Sequence, residues 1–261
     1  AEEKQLLLPL NGDVNLTNVE RSIISTIGLR IQTSAGIRTV DPRDLEAYME
    51  KQKTLAGSEK GKIDALKKLA DEQMSSGWKA LQQLQNKKAV STLAKAERAH
   101  TKLLLETGDL SGLLSSKLHL GIALLRSGRK KAAKKKLYEM LALDKRRESR
   151  KLNPTYYAPD IQSEYKAVQD KQIKSARGSV QLIITPADSK VRFDGVTITT
   201  NQVDSLPTGK HFVEVLADGY EPERKFFQVT EGNNQFETKL RPVKGKLEGT
   251  DFATETSIYS L

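Results

Sequence analysis

The chain has 261 residues, of which 37% are hydrophobic, 5% aromatic and 29% charged, and its formal net charge is +10. This length allows two or three domains with cores of ordinary size, and no apolar run approaches the roughly 18 to 20 residues that a membrane-spanning helix needs. The chain contains no cysteine, which excludes disulfides, cysteine-ligated zinc and thiol catalysis.

Most of the excess positive charge lies in residues 126–151, where twelve basic residues stand against three acidic ones, a net charge of +9. On a helix from Arg129 to Leu143, the apolar residues Ala133 and Leu137 turn one way and leave the lysines on the other face. We predict that an acidic partner binds this basic face. The alternative is that the face is only a solvated surface. The candidate residues of the basic face are Lys130, Lys131, Lys134, Lys135, Arg146 and Arg147. Tyr138 is the only aromatic residue in this stretch, so we expect no specific binding of nucleic acid.

The first 54 residues predict a small βαβα unit. Residues 4–10 have the length and apolarity of a strand, and helical spacing begins after Thr17 and ends at Gly36. Residues 36–40 predict a second, parallel strand, and Asp41-Pro42 is a typical helix start. No glycine-rich phosphate-binding motif is present, so this unit has the character of a docking or packing module.

Residues 58–173 predict a helical domain, because their apolar residues keep a helical period and no proline occurs between Pro42 and Pro154. Pro159 begins the helix that closes the domain. Residues 114–145 resemble a tetratricopeptide repeat, in which small residues let two antiparallel helices approach closely. The positions that carry this resemblance are Leu120, Gly121, Leu124, Gly128, Ala133, Leu137 and Asp144.

After a polar hinge at 171–178 the spacing of the apolar residues changes from helical to alternating. The alternation continues to residue 242 and predicts an antiparallel β-domain over residues 178–242. The alternation places Val180, Leu182, Val213 and Val215 in its core. The two halves on either side of the hinge are expected to fold independently. The tail, residues 243–261, has no period and predicts an extended or disordered segment.

Four motifs in this order and spacing resemble those of a PEGA domain, a compact β-sandwich of bacterial envelope proteins. They are Ile184-Thr185-Pro186-Ala187-Asp188-Ser189, Val191-Arg192-Phe193-Asp194-Gly195, Leu206-Pro207-Thr208-Gly209-Lys210-His211 and Asp218-Gly219-Tyr220. The resemblance covers about residues 179–241. The expected fold class is therefore a multidomain α + β protein with a small N-terminal α/β unit, a tetratricopeptide-like helical middle and a C-terminal antiparallel β-sandwich.

No catalytic centre is expected. His100, His119 and His211 lack the spacing of a metal site, and no nucleophile motif is present, so we predict no enzyme, no cofactor and no metal. The resemblance implies a periplasmic scaffold or adaptor of a Gram-negative bacterium that joins other envelope proteins into an oligomer or a larger assembly. The start at Ala1 instead of Met fits a removed signal peptide. The alternative is a module that binds peptidoglycan or another anionic polymer.

Overall fold

The computed structural model of the chain describes residues 4–5, 38–39, 42–145 and 152–243. Within them, two short strands precede five helices and seven further strands, which makes an α+β fold. The helices are α1 (Pro42–Gln82), α2 (Asn86–Thr107), α3 (Ser111–Arg126), α4 (Lys130–Leu143) and α5 (Pro159–Ile173). The strands are β1 (Lys4–Gln5), β2 (Arg38–Thr39), β3 (Arg177–Thr185), β4 (Lys190–Phe193), β5 (Val196–Ile198), β6 (Gln202–Pro207), β7 (Gly209–Leu216), β8 (Glu223–Val229) and β9 (Gly232–Lys239).

Strands β1 and β2 pair in parallel, with Lys4 opposite Arg38, as a β-α-β order requires. The helix expected to follow Thr17 lies outside the described residues, and so does the tail after Val243. Helix α1 begins at Pro42, where the fixed φ of proline suits the first helical position. It continues without a break through residues 54–58, which lie between the predicted βαβα unit and the predicted helical domain.

Residues 62–243 form one compact unit. Its helical part has a core of alanine, leucine and isoleucine side chains, which α1, α2, α3 and α4 supply and to which α5 adds Ile161. Glycines allow close helix contacts: a Cβ atom on Gly121 would lie 2.6 Å from Leu137 Cδ2. Ala133 and Leu137 are fully buried, as the helical spacing of the apolar residues predicted.

The β part contains two sheets, one of three strands in the order β6-β3-β9 and one of four in the order β5-β4-β7-β8. Their inward side chains form one apolar core that includes Val180, Leu182, Val213 and Val215, all four buried as predicted. The prediction of a wholly antiparallel domain is wrong for one pair, since β3 and β9 run parallel over eight residues. The chain traverses the whole four-stranded sheet between them and returns beside β3 in the same direction.

The helices and the sheets share a second apolar cluster. Phe212 of β7 is buried against Leu104, Leu113 and Leu143 of the helices, and its ring meets that of Phe226 edge to face at a centroid distance of 5.7 Å. Only three residues separate the end of α5 from the start of β3. The helices cover Phe212 and Phe226 on this face of the sheet. We therefore expect the two halves to depend on each other for stability, in contrast to the independent folding that the change of period at the hinge suggested.

Polar contacts add to this junction. The carboxylate of Glu214 in β7 is almost fully buried and accepts hydrogen bonds from Arg192 and Arg224, at 2.9 and 2.7 Å. Arg224 Nη1 in turn donates to the Glu106 carbonyl oxygen at 2.7 Å. Gly108 ends α2 with φ of +75°, and a Cβ atom there would collide with the Glu214 carboxylate. A buried carboxylate of the sheet and its arginine partners thus lie against the end of a helix.

A buried acid and histidine fix the turn between β4 and β5. His211 Nδ1 lies 2.6 Å from Asp194 Oδ2, and His211 Nε2 lies 2.8 Å from the Pro207 carbonyl oxygen. Asp194 Oδ1 also accepts a hydrogen bond from the Phe212 amide at 2.8 Å. Burial raises the pKa of Asp194, and the hydrogen bond from His211 opposes that rise. The pair holds Phe212 in place from the sheet side.

Candidate binding groove

An open cavity of about 1050 Å³ lies between helices α4 and α5 and strands β7 and β8. We call it the lysine groove. Seven lysines and one glutamate line it, so its surface is strongly cationic. The lining residues are Thr101, Leu113, Lys117, Lys131, Lys134, Lys135, Lys136, Tyr138, Glu139, Leu143, Ala167, Val168, Lys171, Ser175, Thr208, Gly209, Lys210, Phe226 and Gln228.

Exposed lysines from three elements converge on the groove. Helix α4 supplies Lys131, Lys134 and Lys135, which are exposed because Ala133 and Leu137 on the opposite face are buried. Helix α5 adds Lys171, and the start of strand β7 adds Lys210. Three separate backbone segments thus place their ammonium groups around one opening, which is a suitable arrangement for a ligand with several anionic groups.

The floor of the groove is partly apolar. Leu113, Leu143, Val168 and Phe226 line it, and all four belong to or border the clusters that hold the helices and the sheets together. The hydroxyl of Tyr138 donates to Ser175 Oγ at 3.0 Å. The floor therefore belongs to the fixed junction between the helices and the sheets, while the lysines form its rim.

Two of the lining lysines are neutralised by partly buried acids. Lys117 Nζ lies 2.7 Å from Glu97 and 2.8 Å from Glu139, and Lys136 Nζ lies 2.9 and 3.2 Å from the same two carboxylates. The four side chains come from α2, α3 and α4 and have no net charge together. Their role is to hold three helices in register on one wall of the groove.

This network shifts the pKa values of its members. Burial would raise the pKa of Glu139, but the hydrogen bonds and charges of Lys117 and Lys136 outweigh it and lower that pKa below 4.5. Burial would likewise lower the pKa of Lys136, and its contacts with Glu97 and Glu139 raise it instead. Both shifts favour the charged forms in the folded protein.

Acid should therefore destabilise the wild-type protein more steeply than the variant Glu139→Gln. Because the folded-state pKa of Glu139 is lowered, its contribution to stability is present above about pH 4.5 and is lost as the pH falls through the folded-state value. Urea unfolding at a series of pH values measures the slope. Equal slopes for the two proteins below pH 4.5 would show that Glu139 gains nothing from its lysines.

A further acid lies at the rim. Glu164 of α5 accepts hydrogen bonds from Lys134 at 3.0 Å and from Lys130 at 3.2 Å. The hydrogen bond from Lys134, followed by that from Lys130, lowers the pKa of Glu164. The side chains of Lys130 and Lys134 are 70% and 48% exposed, unlike those of the inner network.

The structure places the residues of the predicted basic face as follows. Lys131, Lys134 and Lys135 line the groove, Lys130 lies beside it on Glu164, and Arg146 and Arg147 lie outside the described residues. Sequence reasoning missed Lys171 and Lys210. Neither belongs to the basic stretch, and their approach to α4 depends on how α5 and β7 pack, for which the local sequence carries no signal.

Other kinds of site have less support in the structure. Among the described residues, no group of three or more histidine, aspartate and glutamate side chains could hold a metal ion. None of the helices in the same part of the chain is both long and apolar enough to cross a membrane. No protein-family model matches the chain, and no curated protein matches it either. The groove is accordingly interpreted from its own geometry.

Proposed function

We propose that the chain is a non-catalytic scaffold or adaptor that holds an acidic segment of a partner protein in the lysine groove. One observation carries this proposal: lysines of α4, α5 and β7 surround a single opening, and four of them have no ion pair among the residues the structure describes. These four are Lys131, Lys135, Lys171 and Lys210. Their uncompensated charge attracts an anionic partner and steers its approach.

The apolar floor favours a protein segment as the occupant. Phe226, which is half-buried, offers a surface that an apolar side chain can cover, whereas a phosphate chain or a glycan would leave it wet. The cavity, about 1050 Å³, is slightly larger than the range of about 300 to 1,000 Å³ typical for small-molecule sites. An acidic segment with interspersed apolar residues fits both its size and its two kinds of surface.

The domain types and the location are part of the same proposal. A PEGA-like β-sandwich over residues 179–241 is supported by the shared core of the two sheets and by Asp194-Gly195 in a two-residue turn with φ of 49° and 74°. A tetratricopeptide-like pair of α3 and α4 is supported by the close contact of Gly121 with Leu137. The proposed location, the periplasm of a Gram-negative bacterium, depends on the PEGA resemblance alone.

Charge reversal in the groove should abolish most binding of an acidic peptide. The probe is a fluorescein-labelled dodecapeptide of glutamate and leucine, and binding is measured by fluorescence anisotropy. The variant Lys131→Glu/Lys135→Glu/Lys171→Glu should weaken binding on the order of ten-fold or more. Wild-type affinity should fall steeply between about 50 and about 500 mM salt, because the Debye length shortens from about 14 Å to about 4 Å.

A matched variant controls for net charge. Lys87, Lys88 and Lys95 are exposed lysines of α2 that do not line the groove, and their reversal to glutamate changes the net charge equally. This control should weaken binding about two-fold only. Equal losses in both variants would mean that the peptide senses overall charge and not the groove. If inorganic polyphosphate or peptidoglycan binds the groove more tightly than the peptide, the alternative of an anionic polymer replaces the protein partner.

A further inference from the structure

The lysines at the groove fall into three groups that differ in their counter-charges. Lys117 and Lys136 are held by Glu97 and Glu139, whose side chains are 13% and 29% exposed. Lys130 and Lys134 share the single carboxylate of Glu164. The remaining group, described above, has no ion pair among the described residues.

Only the Glu164 contacts are suited to exchange. In the inner network the side chains of Lys117 and Glu97 are only 10% and 13% exposed, so opening it would leave poorly hydrated charges without partners, which is costly. The ammonium groups of Lys130 and Lys134 are well exposed, and water and salt replace such contacts at little cost. The position of Glu164 also matters, since it lies one helical turn before Val168, which lines the groove.

The carboxylate of Glu164 is chemically the same group that an acidic partner would bring. We infer that Glu164 is a resident competitor, which occupies Lys134 and Lys130 in the empty groove and is displaced by a carboxylate of the partner. This inference rests on the proposed function. The competitor disfavours ligands with a single carboxylate, because such a ligand only replaces one ion pair by another. A segment with several carboxylates displaces Glu164 and also forms new contacts with the lysines that have no ion pair.

Removal of the competitor should therefore tighten binding. The variant Glu164→Gln keeps the shape of the side chain and frees Lys130 and Lys134 for the ligand. Asp170→Asn is a matched control, because Asp170 lies on the same helix, forms an exposed ion pair with Lys166 at 3.1 Å and does not line the groove. Both substitutions raise the net charge equally, so their difference isolates the contacts of Glu164.

The labelled dodecapeptide of glutamate and leucine should bind Glu164→Gln about two- to five-fold more tightly than Asp170→Asn, a ratio typical of one or two exposed charge contacts. The ratio should fall to about one in the background Lys130→Ala/Lys134→Ala, because the groups that Glu164 blocks are then absent. Both variants should unfold at the wild-type urea concentration, since exposed pairs contribute little stability.

Equal affinities of Glu164→Gln and Asp170→Asn would overturn the inference and leave the binding groove in place. An unchanged ratio in the lysine-free background would also overturn it, because the effect would then not pass through Lys130 and Lys134. Absence of binding by the wild type and by every variant at low salt would instead overturn the proposed function itself, and the inference with it.

Discussion

Replacing Asp194 by alanine should lower the free energy of unfolding by about 3 to 5 kcal/mol, the range for the loss of one member of a buried polar pair. The substitution leaves His211 Nδ1 and the Phe212 amide without their acceptor in a site where neither side chain of the pair is exposed. Alanine is also disfavoured at the positive φ of 49° found there. Urea unfolding with linear extrapolation measures the loss.

Asparagine at the same position is the informative control. Its side-chain oxygen can accept from the Phe212 amide, and its amide can donate to His211 Nδ1 while Nε2 donates to the Pro207 carbonyl. Asparagine also tolerates a positive φ. We therefore expect Asp194→Asn to cost less than half of what Asp194→Ala costs. Equal costs would mean that negative charge, and not the hydrogen-bond acceptors, is what this site requires.

Replacing Phe212 by alanine should cost about 3 to 5 kcal/mol, which is the usual range for removing a buried aromatic ring. The ring is 1% exposed and contacts the helices and the sheets at once. Both parts should therefore lose stability together. Fluorescence of Trp78, the only tryptophan of the chain, follows the helical part, and circular dichroism in the far ultraviolet follows the whole.

Coincident transitions by both signals, shifted equally in Phe212→Ala, are the expected result for one cooperative unit. A Trp78 transition that keeps its wild-type midpoint in the variant would show that the helices are stable without the sheets.

The shared cluster also predicts that a fragment of residues 178–243 is much less stable than the same residues in the full chain, because Phe212 and Phe226 are no longer covered by the helices.

Local sequence patterns were sufficient to predict most of the described helices and strands and one side of the groove. The alternation of Val213 and Val215 predicted an inward face of β7, and the helical spacing of Ala133 and Leu137 predicted that Lys131, Lys134 and Lys135 lie on the opposite face of α4. These predictions succeed because each depends on a periodicity within one element, which burial on one side enforces.

Features that depend on how elements meet were not predictable. Lys171 and Lys210 reach the groove only because α5 and β7 pack beside α4, and Glu164 lies opposite Lys134 for the same reason. The parallel pairing of β9 with β3 is set by the path of the chain over about fifty intervening residues. Strand β6 was missed because Gln202–Pro207 contains aspartate, serine and proline, which disfavour strands.

Binding of an acidic segment in the lysine groove can be mapped residue by residue with backbone amide chemical shifts. On addition of the glutamate and leucine dodecapeptide we expect shift changes at Lys131, Lys134, Lys135, Lys171, Lys210 and Phe226, and we expect them to disappear at about 500 mM salt. Changes spread evenly over the exposed lysines of α2, or confined to residues outside the groove, would contradict binding in the groove.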